Sequence, residues 1–291
     1  MLSRRSLLLG GGAAVATGVA ATAVGAPAWL HRAGHLVRPD PVAAHPIPAG
    51  PVGEIVSGSF FSKARNATTG WSIAYPHGTT PGTSLPFLLE LHGRGDDHTV
   101  AFGSHRLQYF LSAAVRTGAA PFAIASVDGG DADYWHRRSS GVDPQDMLVS
   151  ELLPLLADRG LRTDRFALGG WSMGGYGALL LAERLGSSRV AAVVADSPAI
   201  WTRYEDASQG SFDGPDDFAA HDVLGQAGAL ADIHIRVTCG ISDPLIAGSR
   251  ALLEHLPGIQ HEFGPGAHDV NWWQHAAPQQ LAYAGEHLAP G

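Results

Sequence analysis

Cysteine is all but missing from this chain. Cys239 is the single one in 291 residues, so no intrachain disulfide can form and stability has to come from a buried core. Charge is sparse as well: only 16% of residues are charged, the net charge is −8, and no Lys/Arg block occurs outside the N-terminus. A protein that neutralises phosphates needs a basic face, so nucleic acid is excluded as the main partner. The fifteen histidines are scattered without a His-Glu-x-x-His pair, and His261, His268 and Asp269 lack the spacing of a zinc site. No glycine-rich phosphate or dinucleotide loop follows the first strand signal, and no internal repeat is present. Neither a metal nor a cofactor is expected.

What is present is a large apolar fraction, 45%, enough for a sizeable core. The first residues place Arg4 and Arg5 before a Gly/Ala-rich apolar run that extends to about residue 26. Residues 1–28 therefore resemble a twin-arginine-type export signal, with small residues near 23–28 that permit cleavage. The other reading is a retained anchor, which would be the chain's only membrane contact; the glycines within the run weaken a stable span. Residues 29–53 are rich in Pro, Ala and His without a sustained period and read as a linker. Residues 54–291 then form one domain, which suits the length better than two small ones.

Within that domain strand and helix signals alternate. Residues 54–61 and 71–75 predict an opening antiparallel pair, and 85–92 a buried strand. Strands follow at 122–127, 165–169, 190–195, 235–239 and 260–263. Helices are expected at 106–116, 144–159, 176–185, 245–255 and 271–287. This rhythm predicts an α/β fold with a mostly parallel central sheet, helices on both faces, and ligands met at the carboxyl ends of the strands. Residues 200–232 are too few for a large lid, so a small cap or none is expected.

The chemistry is carried by Gly170-Trp171-Ser172-Met173-Gly174, placed between a strand signal and a helix signal. A tight turn there lifts the Ser172 hydroxyl clear of the backbone for attack on a carbonyl. In a chain with 37 glycines the pentapeptide alone is weak, and its surroundings decide its meaning. A serine hydroxyl needs a base, usually a histidine oriented by a carboxylate. Asp243 follows the strand at 235–239, and His268 lies in the loop after the last strand, which completes the chain order Ser, acid, His. Asp243 is also of the type that caps a helix, Asp196 after the preceding strand is the rival acid, and Asp269 is expected to cap the closing helix. The backbone amide of Met173 is the first candidate for stabilising an oxyanion. The loop after the 85–92 strand, His92-Gly93-Arg94-Gly95, supplies the second through the Arg94 amide, unless it is a plain glycine turn. His92, Trp135 and Trp273 are candidate substrate contacts, among aromatics that more often pack than bind.

Leu91-His92-Gly93, Gly170 through Ala178, Gly240 through Asp243, and His268 with Trp273 together resemble the esterase family of α/β-hydrolases. That family includes esterase D-like enzymes, feruloyl esterases and the mycobacterial antigen 85 mycolyltransferases. The resemblance covers roughly residues 54–288 and implies an α/β-hydrolase fold. It also implies Ser172 as nucleophile, His268 as base, Asp243 as orienting acid, and the Arg94 and Met173 amides as oxyanion donors. Antigen 85 proteins carry Asp-Gly-Leu-Arg at the oxyanion loop and a glutamate as acid, whereas this chain has His92-Gly93-Arg94-Gly95 and Asp243. The expectation is thus an exported, secreted or envelope serine esterase acting on a small-molecule, lipid or sugar ester. An acyltransferase to a sugar or lipid alcohol and a noncatalytic envelope protein are the alternatives.

Overall fold

The computed structural model describes residues 45–289. The export segment expected at 1–28, and the expected linker as far as residue 44, lie outside the described residues. Residues 45–54 have no regular structure and run along the domain surface. There the Arg116 guanidinium donates to the carbonyls of Ala49 (2.8 Å) and Pro51 (3.0 Å).

Eight strands form one sheet in the order β1-β2-β4-β3-β5-β6-β7-β8. They are β1 (Ile55–Ser62), β2 (Ala67–Ala74), β3 (Phe87–Leu91), β4 (Ala123–Val127), β5 (Phe166–Trp171), β6 (Val190–Asp196), β7 (Ile235–Gly240) and β8 (Gln260–Gly264). The expected opening hairpin is antiparallel, β2 joins β4 antiparallel, and every later pairing is parallel. The helices are α1 (Val100–Gly103), α2 (Leu107–Arg116), α3 (Pro144–Asp146), α4 (Leu153–Asp158), α5 (Met173–Leu185), α6 (Pro215–Ala220), α7 (Ile246–His255) and α8 (Val270–Leu288). The central strands are apolar on both sides because both faces are covered. Phe110 and Leu111 of α2 and Leu281 and Ala284 of α8 pack on one face. Leu156 of α4, Leu179 of α5 and Leu252 of α7 join the core on the other. This is the α/β-hydrolase architecture.

Two local differences from the sequence reading have plain causes. The helix expected over 144–159 is interrupted by a wide π-helical turn, Met147–Leu152, that joins α3 to α4. Pro154 stands just beyond it; its ring has no N–H to donate and crowds the preceding turn, so the ladder widens there. The short α1 and α6 carry too few residues to show a helical period in the sequence. The segment between β6 and β7 does not form a large lid. It carries α6 and two short 3-10 turns, and Phe212, Val223, Leu224 and Leu230 are buried in the core. No helix among the described residues is long and apolar enough to cross a membrane.

The turn between β5 and α5 rests on the carboxyl end of β3. A Cβ on Gly174 would lie 1.9 Å from the Leu91 carbonyl oxygen, so only glycine permits α5 to start this close to the sheet. Gly174→Ala is therefore expected to destabilise the protein by about 2 kcal/mol or more, measured by urea unfolding. Gly103→Ala, where an added Cβ meets nothing within 4 Å, is the control and is expected to be close to neutral.

Candidate active site

Ser172 stands alone between β5 and α5 with φ 56° and ψ −119°. A side chain in that left-handed region is strained, and it persists only where surrounding bonds over-determine the backbone. Here the Ser172 amide donates to the Asp196 carbonyl (2.9 Å), while its own carbonyl accepts from the amides of Ala199 (2.9 Å) and Tyr176 (3.1 Å). The turn thus aims the hydroxyl at the loop after β8.

That loop presents His268, whose Nε2 lies 2.9 Å from Ser172 Oγ. Its Nδ1 lies 2.8 Å from Asp243 Oδ2. A carboxylate oxygen can only accept, so the ring proton sits on Nδ1 and the Nε2 lone pair faces the serine hydroxyl. Asp243 is fully buried, and its other oxygen accepts from the Leu245 amide at 2.8 Å. The residue therefore performs the turn-closing role open to an Asp before a helix and the orienting contact at once. The loops meet because Gly240 lacks a side chain: a Cβ there would lie 2.4 Å from Gly266 backbone atoms, while Ser242 N donates to Gly266 O at 3.0 Å. Asp269 caps α8 through the amides of Asn271 and Trp272.

The rival acid is elsewhere. Asp196 accepts from Thr238 Oγ1 (2.5 Å) and Gln280 Nε2 (2.6 Å), and no bond joins it to His268. Burial raises its carboxyl to about 6, and burial together with the Asp196 charge holds Glu90 well above the usual carboxylate range.

Neither the Met173 nor the Arg94 amide donates to an acceptor among the described residues. Met173 opens α5, where the first amides have no intrahelical partner. Arg94 opens a loop in which Gly95 N donates to Asp131 O (2.9 Å) and Asp96 N to Gly93 O (3.2 Å). Both amides remain free to bind an anionic oxygen.

Two of the three candidate substrate contacts need correction. His92 is fully buried: its Nδ1 donates to Gly93 O (2.7 Å) and its Nε2 accepts from Gly129 N (2.8 Å), so it braces the loop rather than meeting a ligand. Trp135 is also fully buried, donates to His92 O at 3.2 Å and lies against Gly129 and Gly177. Trp273 differs: it is half-buried and stands edge-on to His268, ring centroids 5.2 Å apart at 86°. Sequence reasoning missed the props beneath it. His105, buried and pushed down to about 3, is a neutral ring packed between Trp171 (4.0 Å) and Trp273 (5.2 Å). Trp171 in turn donates to Asp96 Oδ2 at 2.9 Å. A tryptophan as the second residue of the elbow was the available signal.

Residues 62–284 match the model of the family described as "Putative esterase". The chain belongs to this family. The esterase is accordingly a carboxylic ester hydrolase. No curated protein matches its sequence significantly. Solved structures share its fold. A ferulic acid esterase is 20% identical with a TM-score of 0.69, the match covering 82% of this esterase and 100% of that chain. An S-formylglutathione hydrolase from Agrobacterium tumefaciens is 14% identical at 0.68, covering 81% and 95%. MPT51 of Mycobacterium tuberculosis is 17% identical at 0.62, covering 82% and 98%.

The pH dependence of stability carries a signature of Asp196. Its folded-state value of about 6 exceeds the ordinary 3.8, so the folded chain keeps a proton that the unfolded chain has already lost. The Asp196 contribution to stability is expected to fall as pH rises from about 4 to about 6 and then to level off. Asp196→Asn is expected to be more stable than the wild type at pH 8, by about 2 kcal/mol, and no more stable below pH 4, measured by urea unfolding across pH.

Proposed function

We propose that the esterase hydrolyses carboxylic esters through an acyl-enzyme on Ser172, with His268 as general base and acid and Asp243 as the orienting acid. One observation carries this: the continuous line from Ser172 Oγ to His268 Nε2 (2.9 Å) and from His268 Nδ1 to Asp243 (2.8 Å). Ser172 Oγ attacks the ester carbonyl carbon while its proton passes to His268 Nε2. The carbonyl oxygen becomes an oxyanion and accepts hydrogen bonds from the Met173 and Arg94 amides. The tetrahedral intermediate collapses, the alcohol leaves with the proton from His268, and an acyl-serine remains. Water then loses a proton to His268, attacks the acyl carbon, and a second collapse frees the acid and restores Ser172.

His268 is 16% exposed and Ser172 is partly exposed, so water reaches the acyl carbon without displacing a lid, which favours hydrolysis over transfer to an alcohol. Trp273, beside His268, would line the path of the leaving group or acyl chain. The Arg4-Arg5 pair and the apolar run behind it support export before the domain acts.

With a short-chain nitrophenyl ester, Ser172→Ala and His268→Ala are each expected to lower kcat by about 10⁵-fold, and the double variant no further, because the two act as one unit. Asp243→Asn is expected to lose about 10⁴-fold through the wrong histidine tautomer. Equal rates in wild type and Ser172→Ala would overturn the proposal, as would fluorophosphonate labelling that survives that substitution. Acyl product appearing on an added sugar rather than as free acid would assign transfer instead. Lys at positions 4 and 5 is expected to retain the chain inside the cell, as read by fractionation and immunoblot.

A further inference from the structure

A second cluster of reactive side chains shares no residue with the site at Ser172. His136 comes from the loop after β4, while Asp217 and His221 stand four residues apart at α6, on one face of a single turn. One donor atom from each lies within 4.8 Å of the others. His221 Nδ1 is 3.0 Å and His136 Nδ1 3.7 Å from Asp217 Oδ1. Two ligands on a tetrahedral zinc ion, each about 2.0–2.1 Å from it, stand about 3.4 Å apart, and the two observed distances straddle that value.

The partners of His136 differ between its two tautomers. Its Nε2 lies 3.1 Å from Ser211 O, and its Nδ1 lies 3.1 Å from Arg137 O as well as 3.7 Å from Asp217 Oδ1. A neutral imidazole has one N–H. With the proton on Nε2, bonded to Ser211 O, the Nδ1 lone pair faces only oxygens. With the proton on Nδ1, bonded to Arg137 O, Nε2 accepts from Arg138 Nη1 at 3.4 Å, whose second N–H donates to Ser211 O at 2.6 Å. A cation between Nδ1 and the carboxylate would give the Nδ1 lone pair of the first tautomer its partner and so select that tautomer.

We propose that His136, Asp217 and His221 bind one divalent transition-metal ion of the zinc type through the two Nδ1 atoms and Asp217 Oδ1. His136 and Asp217 have the supports that ligands require, while His221 Nδ1, 2.9 Å from Asp217 O, would exchange that hydrogen bond for the ion. The other ring nitrogen of His136 meets a backbone carbonyl, and Asp217 Oδ2 accepts from Asp213 N at 2.7 Å. The side chain of His136 is 1% exposed, those of Asp217 and His221 17% and 24%, so the site is closed on one side and open to an entering ion and one water on the other. The nearby Arg138 charge is offset by Asp213 at 2.8 Å.

The ion would clamp α6 to the strained dipeptide before His136, since Tyr134 (φ 50°) and Trp135 (φ 57°) are both left-handed. It would also reach α5, because Tyr176 Oη donates to the His221 carbonyl at 2.8 Å. The bound ion would therefore stabilise the ground on which the elbow helix sits rather than take part in ester chemistry.

The test uses the full chain, dialysed against a chelator and without an affinity tag, titrated with zinc by calorimetry and with cobalt by visible absorption. One ion per chain is expected, with the d–d bands of tetrahedral cobalt. Tm is expected to rise by about 5 °C or more when free zinc is about 100 times Kd. Asp217→Asn and His221→Gln, both at partly exposed positions, are expected to weaken zinc binding at least 10-fold while retaining the apo wild-type circular dichroism. Equal zinc binding by wild type and both variants would place the ion on other histidines and overturn the proposal. So would a Tm that responds to pH across the histidine range but not to zinc, which would assign a proton to the gap. None of these readouts needs an ester, so they stand apart from the fate of Ser172.

Discussion

Everything at the carboxyl edge of the sheet depends on how closely α5 approaches β3. The helix begins one residue after β5 ends, so the chain reverses within Ser172 itself, and a backbone at φ 56° and ψ −119° is the result. That conformation is costly for a side chain bearing a Cβ. It is held because the Ser172 amide and carbonyl are both bonded and because Gly174 lets the helix touch Leu91. The serine hydroxyl is consequently presented in one direction, and His268 has only to arrive at 2.9 Å.

The partner loops are fixed by buried polar ties rather than by many salt bridges. His92 uses both ring nitrogens on backbone groups, and Trp135 closes over it with a bond to the His92 carbonyl. This pins the Arg94 loop from below, and the Arg94 amide donates to no acceptor among the described residues. On the opposite side Trp171 and Trp273 pack tilted against His105, and Trp273 stands edge-on to His268. Both arrangements place a desolvated histidine against an indole, which makes the rings rigid supports and keeps them out of proton transfer. Arg138 draws the segment carrying α6 onto the loop after β4 through Gly210, Ser211 and Asp213, which brings Asp217 and His221 to His136.

The strands and the larger helices were legible because their apolar runs and breaks are local: β4 is a continuous run of apolar and small residues, β3 and β7 are broken only by Glu90 and Arg236 respectively, and glycines mark the ends of α2 and α4. The short α1 and α6 left no period to read, and the π-turn before Pro154 is a matter of ladder geometry that a regular helix pattern hides. At the site, Ser172, His268 and Asp243 stood out because each follows a strand, where side chains gather at the sheet edge. His92 and Trp135 misled for the same reason: their place beside the edge was visible, but whether a ring faces solvent or the core is decided by what lies over it.

Local sequence alone determined the order of strands and helices, the elbow and the caps, since propensity, periodicity and glycine placement act within a few residues. The sequence reading favoured Asp243 over Asp196 by its place after β7, and tertiary structure shows the contact, since the close approach of Gly240 to Gly266 carries Asp243 and not Asp196 to His268. Tertiary structure alone joined His136 to Asp217 and His221 across 81 and 85 residues of chain. Such pairings follow from packing of distant segments, and no spacing rule in a one-dimensional string encodes them.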